Sequence, residues 1–552
     1  TATPAPASAP PAASAPAPAP QATAAPAVQS TPTPIPVVTQ PTPTPARAGE
    51  SVQRGGVLTS WLRTSPPMLD IMQQNTVFTL QPAGPMFNSL LQLNPDKLPG
   101  YEIIPDLAES WSVKSNGTVW EFTLQQATFH DGAPVTSADV ASTFDRIANP
   151  PKGIQSPQQG LLEVVGRVET PDARTVRFVL KQPAAAFAQF LASSGASILP
   201  KHVLAKDQHA LENSVVGTGP FKFKSWNRGV SVEVQRYDGY FRKGLPYLDG
   251  IRWLIIPEST TQIAALRTGR VVFSGVGSRG LFASDVRVLQ KEMPQLKIIP
   301  HCSTNWYELA FNMTRKPYND VRVRRAIMMV LTQQKFIDLA SDGAGFRGGH
   351  MPPDGSWSLP ADELKAFPPV RGATPDDIAK AKSLLAEAGY PNGFTTTFVV
   401  RKGTLYEDQG VVMIDQLRTL NITGAVRPVD HPVGYFDVVG RGDFDIVVGV
   451  PIPAFNDPDA YLKNYVTADP GNIFRYSSPD IDKLFRDQTT EVDAGKRRQL
   501  AWDMQRKLWQ DLPSVPLYHI QYFHAFWPQV RGWTGPGMVR ENLKMEGVWL
   551  AK

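Results

Sequence analysis

Few residues of this sequence have the types and spacing that enzymatic chemistry requires. It contains no Gly-x-Ser-x-Gly elbow for a nucleophilic serine, no Gly-x-x-x-x-Gly-Lys-Ser/Thr phosphate loop and no His-Glu-x-x-His zinc helix. Residues 343–348 (GAGFRG) spell Gly-x-Gly-x-x-Gly, but the run does not sit between a strand and a helix that opens on it. We therefore predict that the protein is not an enzyme.

The cysteine and histidine content points the same way. Cys302 is the only cysteine, so neither an intramolecular disulfide nor a cysteine-rich zinc or iron–sulfur site can form. The eight histidines form no pair at metal-ligand spacing. We predict no cofactor and no bound metal ion, although a metal chelate stays open as a ligand.

Composition is that of a soluble globular protein, with 42% hydrophobic and 19% charged residues. The net charge of +5 is spread along the chain instead of forming basic blocks, which argues against nucleic acid as a partner. No stretch approaches the roughly 18 apolar residues of a membrane span.

Residues 1–50 differ in kind from the rest, because they alternate Ala, Pro and Thr and have no charged residue before Arg47. Such a segment cannot bury enough apolar surface to offset the entropy of ordering it. Its prolines favour a stiff spacer of about 3.1 Å per residue. We predict a disordered tether that holds the following domains away from a lipid anchor; the alternative is a tail with no specific role.

From residue 57 onward, short strands alternate with capped helices. Thr136 and Asp139 have the spacing of a capping box, and Thr374 before Pro375 predicts the start of another helix. Strands are predicted at 119–124, 175–180, 230–235 and 446–450. An α/β protein with more than one lobe follows.

Eight runs, in this order, resemble the family-5 solute-binding proteins of ABC importers, which include oligopeptide-, dipeptide- and nickel-binding members. The resemblance covers about residues 54–552. The runs are 104–111 (IPDLAESW), 129–140 (FHDGAPVTSADV), 217–221 (GTGPF), 244–249 (GLPYLD), 265–269 (ALRTG), 309–312 (LAFN), 321–326 (VRVRRA) and 513–518 (PSVPLY).

The resemblance implies an α/β, two-lobed periplasmic-binding-protein-like fold (type II, cluster C) with an inserted subdomain in lobe I. Lobe I would comprise 51–88, 213–298 and 516–552, the inserted subdomain 89–212, and lobe II 299–515. A small-molecule ligand would be enclosed by hinge closure, and the closed form would dock on a membrane permease driven by ATPase subunits. The expected protein is a monomer on the periplasmic or extracellular face of the cytoplasmic membrane.

Peptide-binding members carry a Trp-x-x-Asp element after a lobe II strand, and its Asp holds the peptide ammonium group. In the corresponding loop, 451–458 (PIPAFNDP), Pro451 stands in place of the Trp and Ala454 in place of the Asp. A buried ammonium group without a carboxylate costs several kcal/mol, so this departure from the family pattern argues against ordinary peptide binding. Asp457 could substitute as the anchor, but Asp457 before Pro458 is also typical of a helix N-cap.

Four further residues are candidates for ligand contact where the resemblance implies the cleft. Trp61 follows the first strand and suits stacking on a planar or sugar-like ligand, and Phe455 lies on the loop after the lobe II strand. Asn305 and Tyr307 lie on the segment that crosses between the lobes, on the opposite face of the strand from Trp306. For Trp61 and Phe455, packing in the core is the alternative.

We therefore expect an importer receptor for a small polar or amphiphilic solute, such as a modified amino acid, short peptide or sugar derivative. One alternative is a conventional di- or oligopeptide receptor that uses Asp457. Another is a sensor or envelope chaperone with the same fold.

Overall fold

The computed structural model describes residues 51–552 except 75, 96–101, 276–280, 354, 432, 452, 454, 534 and 536–542. The side chain of Thr404 is also outside the description. The predicted tether at 1–50 lies outside the described residues. Within them, no helix is both long enough and apolar enough to cross a bilayer.

Strands and helices are numbered in chain order. The strands are β1 Val57–Leu62, β2 Leu91–Leu93, β3 Ile103–Pro105, β4 Ala108–Lys114, β5 Val119–Leu124, β6 Val165–Glu169, β7 Thr175–Leu180, β8 Phe221–Asn227, β9 Ser231–Arg236, β10 Gly250–Ile255, β11 Lys297–Phe311, β12 Gly345–Phe346, β13 Thr395–Arg401, β14 Thr423–Val429, β15 Ile446–Gly449, β16 Ser514–Phe526, β17 Val530–Arg531 and β18 Trp549–Leu550. The helices are α1 Val77–Ala83, α2 Ser137–Ala148, α3 Phe187–Leu191, α4 Lys201–Leu204, α5 Ser259–Arg267, α6 Ala283–Glu292, α7 Val321–Val330, α8 Gln333–Ala340, α9 Ala361–Leu364, α10 Pro368–Arg371, α11 Pro375–Glu387, α12 Thr404–Leu417, α13 Val433–Arg441, α14 Pro458–Leu462, α15 Pro479–Thr490 and α16 Ala494–Asp511.

The local predictions from sequence are confirmed. Strands β5 and β7 have the predicted bounds, and β9 and β15 match within one residue. At the start of α2, the backbone N–H of Thr136 donates to Asp139 Oδ2 at 2.9 Å. At the start of α11, the backbone N–H of Asp377 donates to Thr374 Oγ1 at 3.2 Å. Helix α11 therefore begins at a reciprocal capping box, since the backbone N–H of Thr374 also donates to Asp377 Oδ2 at 2.9 Å, whereas at α2 only Asp139 supplies its half of the box.

Two four-stranded sheets are built mainly from the first half of the chain. The first sheet has the order β1-β10-β9-β8, and the second has the order β4-β5-β7-β6. Alternation along β1 places Leu58 and Leu62 on one face and Trp61 on the other. We call the apolar core that contains Leu58 and Leu62 the first cluster; its members lie between 58 and 273 and between 526 and 548, with Phe455 in addition.

The third sheet has six strands in the order β12-β16-β11-β15-β13-β14. Its long strands β11 and β16 pair from Lys297↔Phe526 to Ala310↔Ser514. The register shifts twice, between Cys302 and Trp306 and between Tyr307 and Glu308. At one end of this ribbon, residues 273 and 281 bridge to β16. The ribbon thus joins the first-sheet side of the molecule to the third sheet. The predicted lobe boundaries at 298/299 and 515/516 fall inside these two strands, and the division stays a prediction.

A buried network of charged side chains lies beside the first sheet. Arg242 donates to Asp106 Oδ1 at 2.9 Å and also to Glu546, and Lys544 Nζ lies 2.8 Å from Asp106 Oδ2. The hydroxyl of Tyr240 donates to Glu546 at 2.5 Å. Buried charges are tolerated when they are paired in this way. Residues far apart in the chain therefore depend on one another for neutralisation.

The bend before β8 requires glycine at position 219, because a Cβ there would lie 2.4 Å from the carbonyl oxygen of Pro85 and 2.6 Å from the amide nitrogen of Phe87. We expect Gly219→Ala to lower the free energy of unfolding by about 1–3 kcal/mol, since backbone atoms must shift. Urea denaturation measures this change. The matched control is Gly440→Ala in α13, where an added Cβ meets no atom within 4 Å. An equal effect of the two substitutions would contradict the steric explanation.

Candidate ligand-binding site

The candidate site is one edge of the third sheet. Strands β14 and β15 both run parallel to β13, so the carboxyl ends of all three strands, at Arg401, Val429 and Gly449, lie at the same edge. β11 runs antiparallel to β15 and places Glu308 opposite Gly449, so the ribbon from the first-sheet side enters at this edge too. Open α/β sheets bind ligands outside the carboxyl ends of their strands.

Arg401 is the last residue of β13 and is 8% exposed. Its guanidinium carbon lies 4.8 Å from the ring centre of Tyr435 and 5.7 Å from that of Tyr406. Nε–H has no hydrogen-bond acceptor, and no carboxylate of the described residues forms an ion pair with this side chain. A buried cation of this kind is stabilised when an anion reaches it. Arg401 is therefore suited to hold a carboxylate of a ligand.

The loop after β15 leads to Asp457, and the predicted N-cap there is confirmed. The Asp457 carboxylate accepts the backbone N–H of Asp459 at 3.0 Å at the start of α14. Both of its oxygens also accept hydrogen bonds from Arg497, at 2.7 and 2.5 Å. This carboxylate is thus already committed to a cap and an ion pair. Ala454, which stands in place of the family's anchoring Asp, lies outside the described residues.

Glu308 is the buried acid of this edge, with 2% of its surface exposed. Tyr465 donates its hydroxyl hydrogen to Glu308 Oε2 at 2.9 Å, and Ser514 lies 3.0 Å from the same hydroxyl. Burial raises the pKa of Glu308 to about 7, although hydrogen bonds to Tyr465 and Ser514 oppose the shift. The edge therefore carries both a fixed cation, Arg401, and a carboxyl group, Glu308, whose pKa is raised to about 7.

Of the five sequence-predicted contact residues, Asn305 and Tyr307 lie on β11, Phe455 and Asp457 lie on the loop after β15, and Trp61 lies on the first sheet. Tyr307 is 2% exposed and its ring centre lies 5.0 Å from that of Tyr518, whereas Asn305 is half-buried in the irregular part of β11. Phe455 is 3% exposed and packs in the first cluster, and Trp61 is 1% exposed. Ligand contact by these residues stays a prediction.

Sequence reasoning missed Arg401. In the sequence, Arg401 directly follows the apolar run 398–400 and precedes a helix, a pattern too common to single it out. No metal site accompanies it: the described ranges contain no group of three or more His, Cys, Asp or Glu side chains arranged to hold a metal ion.

Comparison with known proteins places the chain in a family. Residues 102–472 match the family model described as bacterial extracellular solute-binding proteins, family 5 Middle. The glutathione-binding protein GsiB of Pectobacterium atrosepticum is 28% identical over 431 residues, which are 75% of this chain and 80% of that protein.

Two solved structures are similar over almost the whole described region. The protein AgaA in complex with agropinic acid, from A. tumefacien R10, is 26% identical with a TM-score of 0.74 over 90% of this chain and 99% of that one. The DppA protein of Helicobacter pylori in complex with the peptide STSA is 25% identical with a TM-score of 0.75 over 91% and 99%.

The architecture is the two-lobed α/β fold of periplasmic binding proteins. Members of the family are periplasmic or extracellular, and they bind small solutes or peptides for ABC permeases. The chain therefore belongs to family 5 of the bacterial extracellular solute-binding proteins and is the solute-binding component of an ABC importer.

Proposed function

We propose that the imported ligand is a small organic anion whose carboxylate binds Arg401 at the carboxyl edge of the third sheet. The observation that carries this proposal is the buried guanidinium of Arg401, which has a free Nε–H and stands between two tyrosine rings. A carboxylate accepts hydrogen bonds from a guanidinium group in a fixed, often bidentate geometry. Glutathione, agropinic acid and peptides, which relatives bind, all contain this group.

The state of Asp457 supports a ligand that differs from an ordinary peptide. Its two oxygens bind Arg497, and one of them also caps α14. A ligand ammonium would have to compete with these bonds in a buried setting, which costs several kcal/mol. A conventional peptide receptor that uses Asp457 is therefore the less favoured reading.

The wider arrangement belongs to the same proposal. The protein binds and releases its ligand without chemical change, works as a monomer and is held at the membrane by a lipid anchor through residues 1–50. Lobe I comprises 51–88, 213–298 and 516–552 with the inserted subdomain 89–212, and lobe II comprises 299–515. The proposal assigns to Asn305, on the β11–β16 ribbon, a contact with the ligand that Arg401 holds.

A thermal-shift screen of refolded, ligand-stripped protein tests the ligand class. The panel contains glutathione, opine acids, di- and tripeptides, and the carboxamide counterpart of each compound. A ligand at 100 times its Kd should add about 2.7 kcal/mol of stability. We expect stabilisation by at least one carboxylate compound and none by its carboxamide. Equal stabilisation by both members of a pair would contradict the proposal.

Arg401→Gln should weaken binding of the carboxylate compound by about 10- to 100-fold, because one charge-assisted contact is lost. Titration calorimetry measures Kd for the wild type, this variant and Arg427→Gln. Arg427 is an exposed arginine of the neighbouring strand β14, so its substitution removes the same charge away from the edge. Equal Kd values for all three proteins would exclude Arg401 as the anchor.

A further inference from the structure

A second set of contacts joins the two sides of the molecule, away from the β11–β16 ribbon. Phe455, on the loop after β15, packs in the first cluster, whose other members come from residues before 274 and after 525. Ala460 in α14 packs against the same cluster. The carbonyl oxygen of Thr489 in α15 accepts the backbone N–H of Ala185, which follows β7 of the second sheet, at 2.9 Å.

These contacts act as one unit, because Arg497 binds both segments that carry them. Its guanidinium binds the carboxylate of Asp457, two residues after Phe455. Its Nε–H donates to the carbonyl oxygen of Gln488, the neighbour of Thr489, at 3.0 Å. The loop that carries Phe455 and the helix end that carries Thr489 therefore have a fixed relative position.

The candidate edge of the third sheet is thus flanked by two connections of different kinds. The ribbon of β11 and β16 is covalently continuous and stays intact during a hinge motion. The contacts of Phe455 and Thr489 are non-covalent, and a motion that separates the sheets must break them.

We infer that Phe455 and the Thr489–Ala185 hydrogen bond form a latch that stabilises the closed state, so that Phe455 sets ligand affinity as a positioning residue. A ligand that binds only the closed state has an apparent Kd inversely proportional to the population of that state. Removal of the Phe455 ring deletes a buried apolar contact of the latch and leaves the Arg401 side chain in place. The inference deepens the proposed function, yet its test needs no ligand.

Hydrogen–deuterium exchange at the amide of Ala185 reports the latch directly in ligand-free protein. In Phe455→Ala we expect exchange of this amide to accelerate about tenfold or more, because opening becomes more frequent. Amides of β5 and β13, within the sheets, should keep the wild-type rate. Small-angle X-ray scattering should give a larger radius of gyration than for the wild type.

The matched control is Phe436→Ala, which removes an exposed ring from α13. It should leave both readouts unchanged. If Phe455→Ala loses protection from hydrogen exchange throughout the molecule, Phe455→Leu is tested in its place. The exchange rate at Ala185 and the radius of gyration should then both increase, by smaller amounts than expected for Phe455→Ala. Wild-type exchange at Ala185 and an unchanged radius of gyration in a folded variant would overturn the inference, whatever the outcome for Arg401.

Discussion

Arg497→Met is expected to lower the free energy of unfolding by about 3–5 kcal/mol at pH 7, the cost of breaking a buried ion pair from one side. The side chains of Arg497 and Asp457 are 5% and 6% exposed, and Asp459 lies at 3.2 Å from the same guanidinium. Without Arg497, two neighbouring carboxylates remain buried without a cation. Urea denaturation at pH 7 measures the change.

The effect of Arg497→Met should shrink on acidification. Burial already raises the pKa of Asp459 to about 6, and the charge of Asp457 adds to this shift while Arg497 opposes it. A carboxyl group whose pKa is raised in the folded state stabilises at low pH and loses this contribution as pH rises through the folded pKa. The variant should therefore recover part of its deficit at pH 5.

Lys483→Met is the control, because Lys483 forms an exposed i,i+4 pair with Asp487 on α15. Its effect should stay below about 0.5 kcal/mol. A loss from Arg497→Met as small as that of the control would show that the Asp457–Arg497 pair contributes little to the fold.

Glu308→Gln is expected to make the protein more stable than the wild type at alkaline pH. The raised pKa of about 7 means that the folded wild type holds a proton which the unfolded chain releases near pH 4.5. The stabilisation that protonated Glu308 gives the folded wild type is fully present below pH 4.5. It falls as pH rises from 4.5 and is lost once pH passes through the folded pKa of about 7. The shift corresponds to roughly 3 kcal/mol. The side-chain amide of the variant keeps an oxygen that can accept the hydrogen bond from Tyr465, but it cannot ionise.

Unfolding free energies of the two proteins at pH 5, 7 and 9 measure this difference. Most of the gap in favour of the variant should open between pH 5 and pH 7, and it should level off by pH 9, where Glu308 is ionised in both the folded and the unfolded wild type. Glu258→Gln, at an exposed glutamate before α5, should give a gap that changes by less than about 0.5 kcal/mol. A constant gap for Glu308→Gln would mean that this carboxyl ionises as it does in water.

The sequence predicts well those parts of the fold that depend on near neighbours. The capping boxes at Thr136 and Thr374 involve residues three positions apart, and β5 and β7 carry their own strand-forming side chains. The pairing of Trp61 with Leu254 joins strands that lie far apart in the chain. Such pairings decide which side chains become buried, and a single sequence does not show which distant strands pair.

The same limit explains the prediction of the site. Asp457 before Pro458 is a local pattern and was recognised as a cap, whereas its ion pair with Arg497 joins residues 40 positions apart. Aromatic residue type drew attention to Trp61 and Tyr307, which the structure buries in apolar clusters. Arg401 becomes conspicuous only when the partners around it are known, because an arginine after a strand is ordinary in sequence.

The charge network around Arg242 has a consequence for the order in which the chain folds. Glu546, which neutralises Arg242, lies 304 residues later in the sequence, and Lys544 supplies a cation to Asp106. Before these late residues are in place, the Asp106–Arg242 ion pair lacks two of the four charged members of its network. The final packing beside the first sheet therefore depends on the last ten residues of the chain.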